Sequence, residues 1–170
     1  QEIDIKSLFS KLNDIHLEFR PNHQVLELYL NGKNINKEIR ELRVSNNVSI
    51  VAKQPEIRDF LLDFQRNLAT KGGVIMDGRD IGTVILPNAD FKFFVTASPV
   101  ERARRRHLQL QNAGTEVSYE EVFQNLITRD KIDSERDVAP LKKADDAILI
   151  DNTLLNKEET IALILSHISK

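Results

Sequence analysis

Three groups of arginines and carboxylates have the types and spacing to do chemistry on an anion. The first is Asp77-Gly78-Arg79-Asp80-Ile81-Gly82-Thr83. It directly follows the apolar run Val74-Ile75-Met76, and in open α/β sheets ligands bind beyond the carboxyl ends of strands. Two glycines permit close backbone approach, while two Asp and one Arg offer hydrogen-bonding groups of both signs. An ordinary glycine-rich turn with a local Asp–Arg pair fits that spacing equally well. The second group is Glu101-Arg102-Ala103-Arg104-Arg105-Arg106, where helical spacing puts Arg102, Arg105 and Arg106 on one face. Such a run either contacts a polyphosphate or is a solvated helix face, and the solvated face is the commoner outcome. The third group is Arg129, Asp133 and Arg136, which a continued helix places on one face. Two guanidiniums around one carboxylate can clamp a phosphate and a hydroxyl. The alternative is an exposed ladder of ion pairs, worth little in stability.

The elements that must position these groups are legible from periodicity. Ile5, Leu8, Phe9 and Leu12 follow helical spacing, with little to cap the helix before them. From residue 15 to residue 39 the period drops to two. Pro21-Asn22 marks one turn and Asn31-Gly32 the next, and a third strand is expected over Ile35–Ile39, completing an antiparallel meander. Val44, Val48 and Val51 predict a helix, and Pro55 opens another carrying Ile57, Leu61, Phe64 and Leu68. After Gly72-Gly73, three short apolar runs, Val74–Met76, Phe91–Val95 and Ala147–Ile150, alternate with long helical patterns. That alternation indicates a parallel sheet covered by helices. Ser98 with Glu101 and Ser118 with Glu121 read as capping boxes, and Asn156 with Glu159 can cap a last helix whose Ile161, Ile164, Leu165 and Ile168 face the sheet. Pro140 ends the helix before it, because the residue preceding proline avoids helical geometry.

Composition removes several classes of function. The 170 residues carry 24 Lys and Arg against 26 Asp and Glu, a net charge of -2, which argues against a global nucleic-acid footprint or a polybasic membrane anchor. Cysteine is absent, so disulfides, thiolate metal sites and Cys nucleophiles are excluded. His16, His23, His107 and His167 have no metal-ligand spacing, and neither GxSxG nor G-x-x-x-x-G-K-[ST] occurs. No apolar run is long enough to span a membrane, so a cytoplasmic, soluble chain is expected. RNA binding through the arginine run is a poor reading, since no aromatic residues are interleaved with it.

The stretch from Gly73 to Val84, with Asp77-Gly78-Arg79-Asp80-Ile81-Gly82-Thr83 at its centre, resembles the DGRDxGT signature of bacterial cytidylate kinases. The resemblance continues through Pro87–Asp90, Phe91–Val95 and Ala97–Arg106. It extends to Arg129–Arg136, Ala139-Pro140-Leu141, and Asp145 to Thr153, and so covers essentially the whole chain. It implies a three-layer α/β nucleoside monophosphate kinase fold of the P-loop NTPase class, with a parallel sheet and a small antiparallel insertion at about residues 15–40. Residues 1–70 would form the nucleotide-monophosphate-binding region and 71–170 the remaining core, with a lid at about 104–138. The implied reaction is phosphoryl transfer from ATP, with Mg²⁺, to CMP or dCMP, by a monomer without nucleic-acid or membrane partners.

Residue by residue, Arg79, Arg129 and Arg136 resemble the arginines on the phosphates, and Asp133 the ribose-binding carboxylate. Ser49, Arg58 and Asp80 resemble the groups around the base, and Arg102 and Arg105 are similar to residues that approach ATP. Cytosine suits such a set: Arg58 can donate to N3 and O2, while Asp80 and Ser49 can accept from the 4-amino group. No residues of the chain are classed as metal ligands. The family opens with a strand, a P-loop, a helix and a second strand that have no counterpart here. The chain begins at Gln1, and Met76 is its only Met, so a segment missing before it is expected. Three of the family's five parallel strands would then remain, and the chain alone would be an inactive CMP-binding or regulatory fragment if the P-loop were not supplied.

Overall fold

A computed structural model describes residues 3–23 and 25–168. The chain divides into two compact units, residues 1–70 and 71–170.

The first unit opens with α1, Ile5–Ser10. Its start is capped after all: the Asp4 carboxylate accepts from the Ser7 N–H at 3.0 Å. Strands β1 (Leu17–Asn22), β2 (Val25–Leu30) and β3 (Lys33–Asn34) follow as an antiparallel sheet in the order β1-β2-β3. The expected turn at Pro21-Asn22 is instead the end of β1, with Pro21 opposite Leu26. β1 is an edge strand, where a residue without an N–H is tolerated. Asn31 and Gly32 both take positive φ, 49° and 80°, the geometry a two-residue hairpin needs. β3 stops at Asn34 rather than running over Ile35–Ile39. The Asn36 side chain accepts from the Leu28 N–H at 3.0 Å, and Ile35 N–H donates to the Leu28 carbonyl, so a side chain completes the pairing with β2. Helix α2 is Leu42–Ala52 and α3 is Pro55–Ala69, with Pro55 in the first turn as its fixed φ favours. Phe64 on α3 stacks on Phe19 of β1, ring centroids 6.0 Å apart.

The second unit holds β4 (Phe93–Thr96) and β5 (Ile148–Asp151), paired in parallel with Val95 opposite Ile150. The sheet therefore has two strands among the described residues, not three. Val74–Met76 forms no ladder, and Ile75 lies fully exposed. An apolar run becomes a strand only where a partner backbone is within reach, and β4 and β5 pair with each other. Helix α4 is Pro99–Asn112, α5 is Tyr119–Glu135 and α6 is Lys157–Ile168. α4 lies along α5, burying Ala103, Leu110 and Val122. Their ends are joined by His107, whose Nε2 lies 3.0 Å from the Val117 carbonyl and whose ring meets Tyr119 edge-on.

Ser118 and Glu121 form a complete capping box on α5, and Asn156 and Glu159 exchange the same two hydrogen bonds before α6. At α4 the box is only half made. The Ser98 hydroxyl accepts from Glu101 N–H, but the Glu101 carboxylate is taken by Arg104 and Arg105, and Ser98 N–H donates to the Thr153 hydroxyl instead. α6 departs from expectation: Ile161, Leu165 and Ile168 are exposed, and the Phe93–His167 ring contact ties the helix to β4. No helix among the described residues is long and apolar enough to cross a membrane.

Candidate functional site

The second unit assembles Arg79, Asp80, Arg129, Asp133 and Arg136 into one ionic cluster. Its centre is Asp133, in the last turn of α5 and with only 4% of its side chain exposed. Arg79 Nε donates to its Oδ2 at 3.1 Å across 54 positions of sequence. Arg129 Nε stands 3.9 Å from Oδ2 and Arg136 Nη1 3.7 Å from Oδ1, ion-pair rather than hydrogen-bond distances. Asp80 is joined through Arg136 Nη2, 3.8 Å from its Oδ1. The helical spacing read for the third group holds for Arg129 and Asp133; α5 ends at Glu135, before Pro140, and Arg136 lies just past it in extended backbone, its guanidinium still reaching Asp133. The exposed-ladder alternative does not hold: Asp80, Asp133 and Arg136 are buried. Three guanidiniums and two carboxylates thus stand within 4 Å contacts of one another. Burial first, and then the charge of Arg79, push the Arg129 guanidinium below its ordinary value.

Local structure explains how the sequence builds this. Asp80 ends the bends at Gly78, Arg79 and Asp80 and caps a π-helical turn, Ile81–Ile85, in which its carbonyl accepts from the N–H groups of Val84 (2.9 Å) and Ile85 (3.3 Å). Single π turns concentrate at functional sites, and periodicity cannot forecast one. A Cβ at Gly78 would lie 2.9 Å from the Ile81 side chain, which would have to shift to admit it.

The other expected site residues are placed separately. Ser49, on α2, is buried; Arg58, in the first turn of α3, donates to the Ala52 carbonyl at 3.2 Å. Both belong to the first unit. In the second unit the arginines of α4 part company. Arg102 makes a two-pronged pair with Asp130 of α5, one bond of 3.1 Å joining Nη2 to Oδ1. Arg105 donates to Glu101, to the Asn152 side chain, and to the carbonyls of Asn152 (2.8 Å) and Leu155 (3.1 Å), fastening the loop after β5 onto α4. Arg106 reaches Gln109 on its own helix. Their common face thus has three separate destinations. Asp130, which fixes Arg102, was not among the expected site residues. No spacing rule links positions 28 apart, and only the packing of α4 on α5 discloses the pair.

Arg104 and then Arg105 hold the Glu101 carboxyl at about 2, far below the ordinary carboxylate value. No group of three His, Cys, Asp or Glu side chains able to hold a metal ion occurs among the described residues.

The profile of the cytidylate kinase family matches residues 1–170. A cytidylate kinase of Flavobacterium johnsoniae is 48% identical over 166 residues, covering 96% of this chain and 72% of the relative. Cytidylate kinases of Bacillus cereus and Bacillus thuringiensis are each 44% identical over 172 residues, covering 99% of this chain and 76% of the relative.

Proposed function

The chain belongs to the cytidylate kinase family, and from that premise we propose how its own residues serve the transfer of a phosphoryl group from ATP to CMP or dCMP. An oxygen of the CMP phosphate forms a bond to the γ-phosphorus, the bond from that phosphorus to the β,γ-bridging oxygen breaks, and CDP and ADP leave. The difficulty is electrostatic: two polyanions must meet, and positioning with charge neutralisation supplies most of the catalysis.

Arg79, Arg129 and Arg136 supply that neutralisation. They approach one point from the turn before the π-helix, from the side of α5 and from its end. Asp133, at their centre, holds the guanidiniums converged and is offered to the ribose hydroxyls. Asp80 is proposed to accept from the 4-amino group of cytosine, with Ser49 accepting and Arg58 donating to the ring. Uracil would set its O4 against the Asp80 carboxylate, acceptor against acceptor, which is the basis for rejecting UMP. Arg102 and Arg105 are proposed on the ATP side, near a lid spanning about 104–138. Mg²⁺ would arrive on the donor's phosphates with its usual oxygen and water ligands. Among the described residues no group of three His, Cys, Asp or Glu side chains stands together to hold it.

The observation that carries this reading is the convergence of three guanidiniums on buried Asp133 beside Asp80. The test is ATP-dependent nucleoside diphosphate formation by the purified protein, with CMP, dCMP, UMP and AMP offered separately. Arg79→Ala and Arg129→Ala are each expected to lower kcat/KM for CMP by about 100-fold, the effect of removing one electrostatic stabiliser of a transition state. Turnover of CMP that survives both replacements undiminished would overturn the assignment.

A further inference from the structure

Lys92 sits just before β4, and only 9% of its side chain is exposed although it carries a charge. Its backbone is tied to the sheet, the Lys92 carbonyl accepting from the Ile148 N–H of β5 at 2.9 Å. Its ammonium donates to both oxygens of Asp146, at 2.9 and 2.7 Å, and to the Pro87 carbonyl, which matches its three N–H groups. The stem lies against Gly82, where a Cβ would stand 3.3 Å from Lys92 Cδ and 3.6 Å from Cγ. Gly82 is not among the glycines with positive φ, so its backbone does not ask for glycine; the lysine stem takes the space a side chain would fill.

One side chain thereby spans the π-helical turn, from its second residue to Pro87 beyond its end at Ile85. The turn is closed by bonds five residues back, Leu86 N–H to the Ile81 carbonyl at 2.7 Å and Ile85 N–H to the Asp80 carbonyl at 3.3 Å. Such turns are rare, and the rival α register is one residue shorter. Adopting it would rotate one end of the turn against the other by about 100° and shift it by about 1.5 Å. Asp146 is 67% exposed, and an ion pair with an exposed carboxylate is worth little in stability. What the pair supplies is a fixed end for the lysine.

We infer that Lys92 is a positioning residue for acceptor binding: anchored on Asp146 and Pro87, its stem holds the π-helical turn in register and so sets the place from which Arg79 meets the phosphate of CMP. The inference rests on the reading of Arg79 as a phosphate-binding residue. Arg79 immediately precedes Asp80, the cap of the turn, and crosses to Asp133 with 34% of its side chain exposed. A slip of register by about 1.5 Å exceeds the tolerance of about 0.5 Å within which a binding constellation must be held.

Two measurements separate the turn from the ligand. Hydrogen exchange at the Leu86 amide reads the register without ligand, and calorimetry reads the affinity for CMP. Lys92→Met matches the stem in length and removes the ammonium. It is expected to speed exchange at Leu86 and to weaken CMP binding, each about tenfold, the scale of one charge-assisted hydrogen bond, with exchange inside α5 unchanged. Gly82→Ala presses on the same stem and is expected to weaken CMP about threefold, yet to cost nothing further in a Lys92→Ala background. In an Arg79→Ala background, Lys92→Met should weaken CMP by at most about twofold more, because the lysine acts through Arg79. Should Lys92→Met fail to fold, Asp146→Asn, at an exposed position, is expected to weaken CMP about threefold. Unchanged exchange at Leu86, equal acceleration throughout α5, unchanged CMP affinity in the variant that folds, or additivity in either double variant would overturn the inference. An Arg79→Ala protein that binds CMP normally would instead overturn the reading of Arg79, and the inference with it.

Discussion

Replacing Asp133 by Asn removes one charge and almost no volume, so it tests the ionic cluster directly. Each ion pair at these separations is worth about 4 kcal/mol gross at an effective dielectric constant near 20. Three partners surround the carboxylate at 3.1, 3.7 and 3.9 Å. That attraction offsets the desolvation of a side chain only 4% exposed, so the net loss is far smaller than the gross sum. Removing one partner from a buried ion pair typically costs about 3–5 kcal/mol, because the opposite charges stay behind uncompensated. Asn keeps an acceptor for Arg79, which favours the lower figure. At about 2–4 °C per kcal/mol for a chain of this size, the thermal midpoint is expected to fall by about 6–12 °C. The variant also gains one unit of net positive charge at the site. Inorganic phosphate, titrated at constant ionic strength, should therefore raise the midpoint of Asp133→Asn more than that of the parent, following the linkage between ligand binding and stability. Differential scanning fluorimetry reads both effects. A midpoint within 2 °C of the parent, with phosphate acting equally on the two proteins, would refute the reasoning.

Two further outcomes are expected. Asp80→Ala should lower kcat/KM for CMP more than for UMP by about 1–3 kcal/mol, the cost of a lost buried hydrogen bond; equal losses on both substrates would confine Asp80 to its ion pair with Arg136. Glu101 is held at about 2 by Arg104 and Arg105, so its folded-state value lies below its unfolded one. The contribution of that pairing is therefore full above the ordinary carboxylate range and disappears as pH falls through about 2. The thermal midpoints of the parent and Glu101→Gln should accordingly lie apart at pH 6 and converge toward pH 2, and a separation independent of pH would remove Glu101 from the acid-side stability.

The parts of the fold legible from sequence are those set by short-range chemistry. Asn31-Gly32 needs positive φ at two successive positions, Pro55 is preorganised for a first turn, and Ser118 with Glu121 satisfies two helix N–H groups within four residues. Each occurs where the spacing placed it. The pairing of Arg129 with Asp133 was legible for the same reason, because helix periodicity brings residues four apart together; Arg136, just past the end of α5, reaches Asp133 from extended backbone. The failures come from competing interactions that no spacing template ranks. Val74–Met76 has the composition of a strand, but pairing depends on another backbone. Ser98 and Glu101 have the letters of a capping box, yet Arg104 and Arg105 offer the carboxylate charged partners on its own helix and outcompete a neutral N–H. The left-handed Ala139, at φ 48°, was also illegible, since alanine before proline argues for an extended residue and the guanidinium of Arg136, donating to the Ala139 carbonyl, supplies the opposing interaction.

Asp133 occupies a position that helix energetics alone would not select for a carboxylate. It lies in the last turn of α5, where the negative end of the helix dipole opposes an anion, and it is buried. Stability would be served better there by an apolar side chain or a cation. The carboxylate is sustained by guanidiniums drawn from two separate stretches: Arg79 from the turn before the π-helix, Arg129 and Arg136 from α5 and its end. Those arginines need Asp133 in turn, for without it three like charges would stand together with a large part of their counter-charge removed. Each side of the cluster is thus a local violation made tolerable by the other. Stability spent in this way at one place in a fold is what a site answering to a ligand is expected to show, in keeping with the role proposed for this cluster.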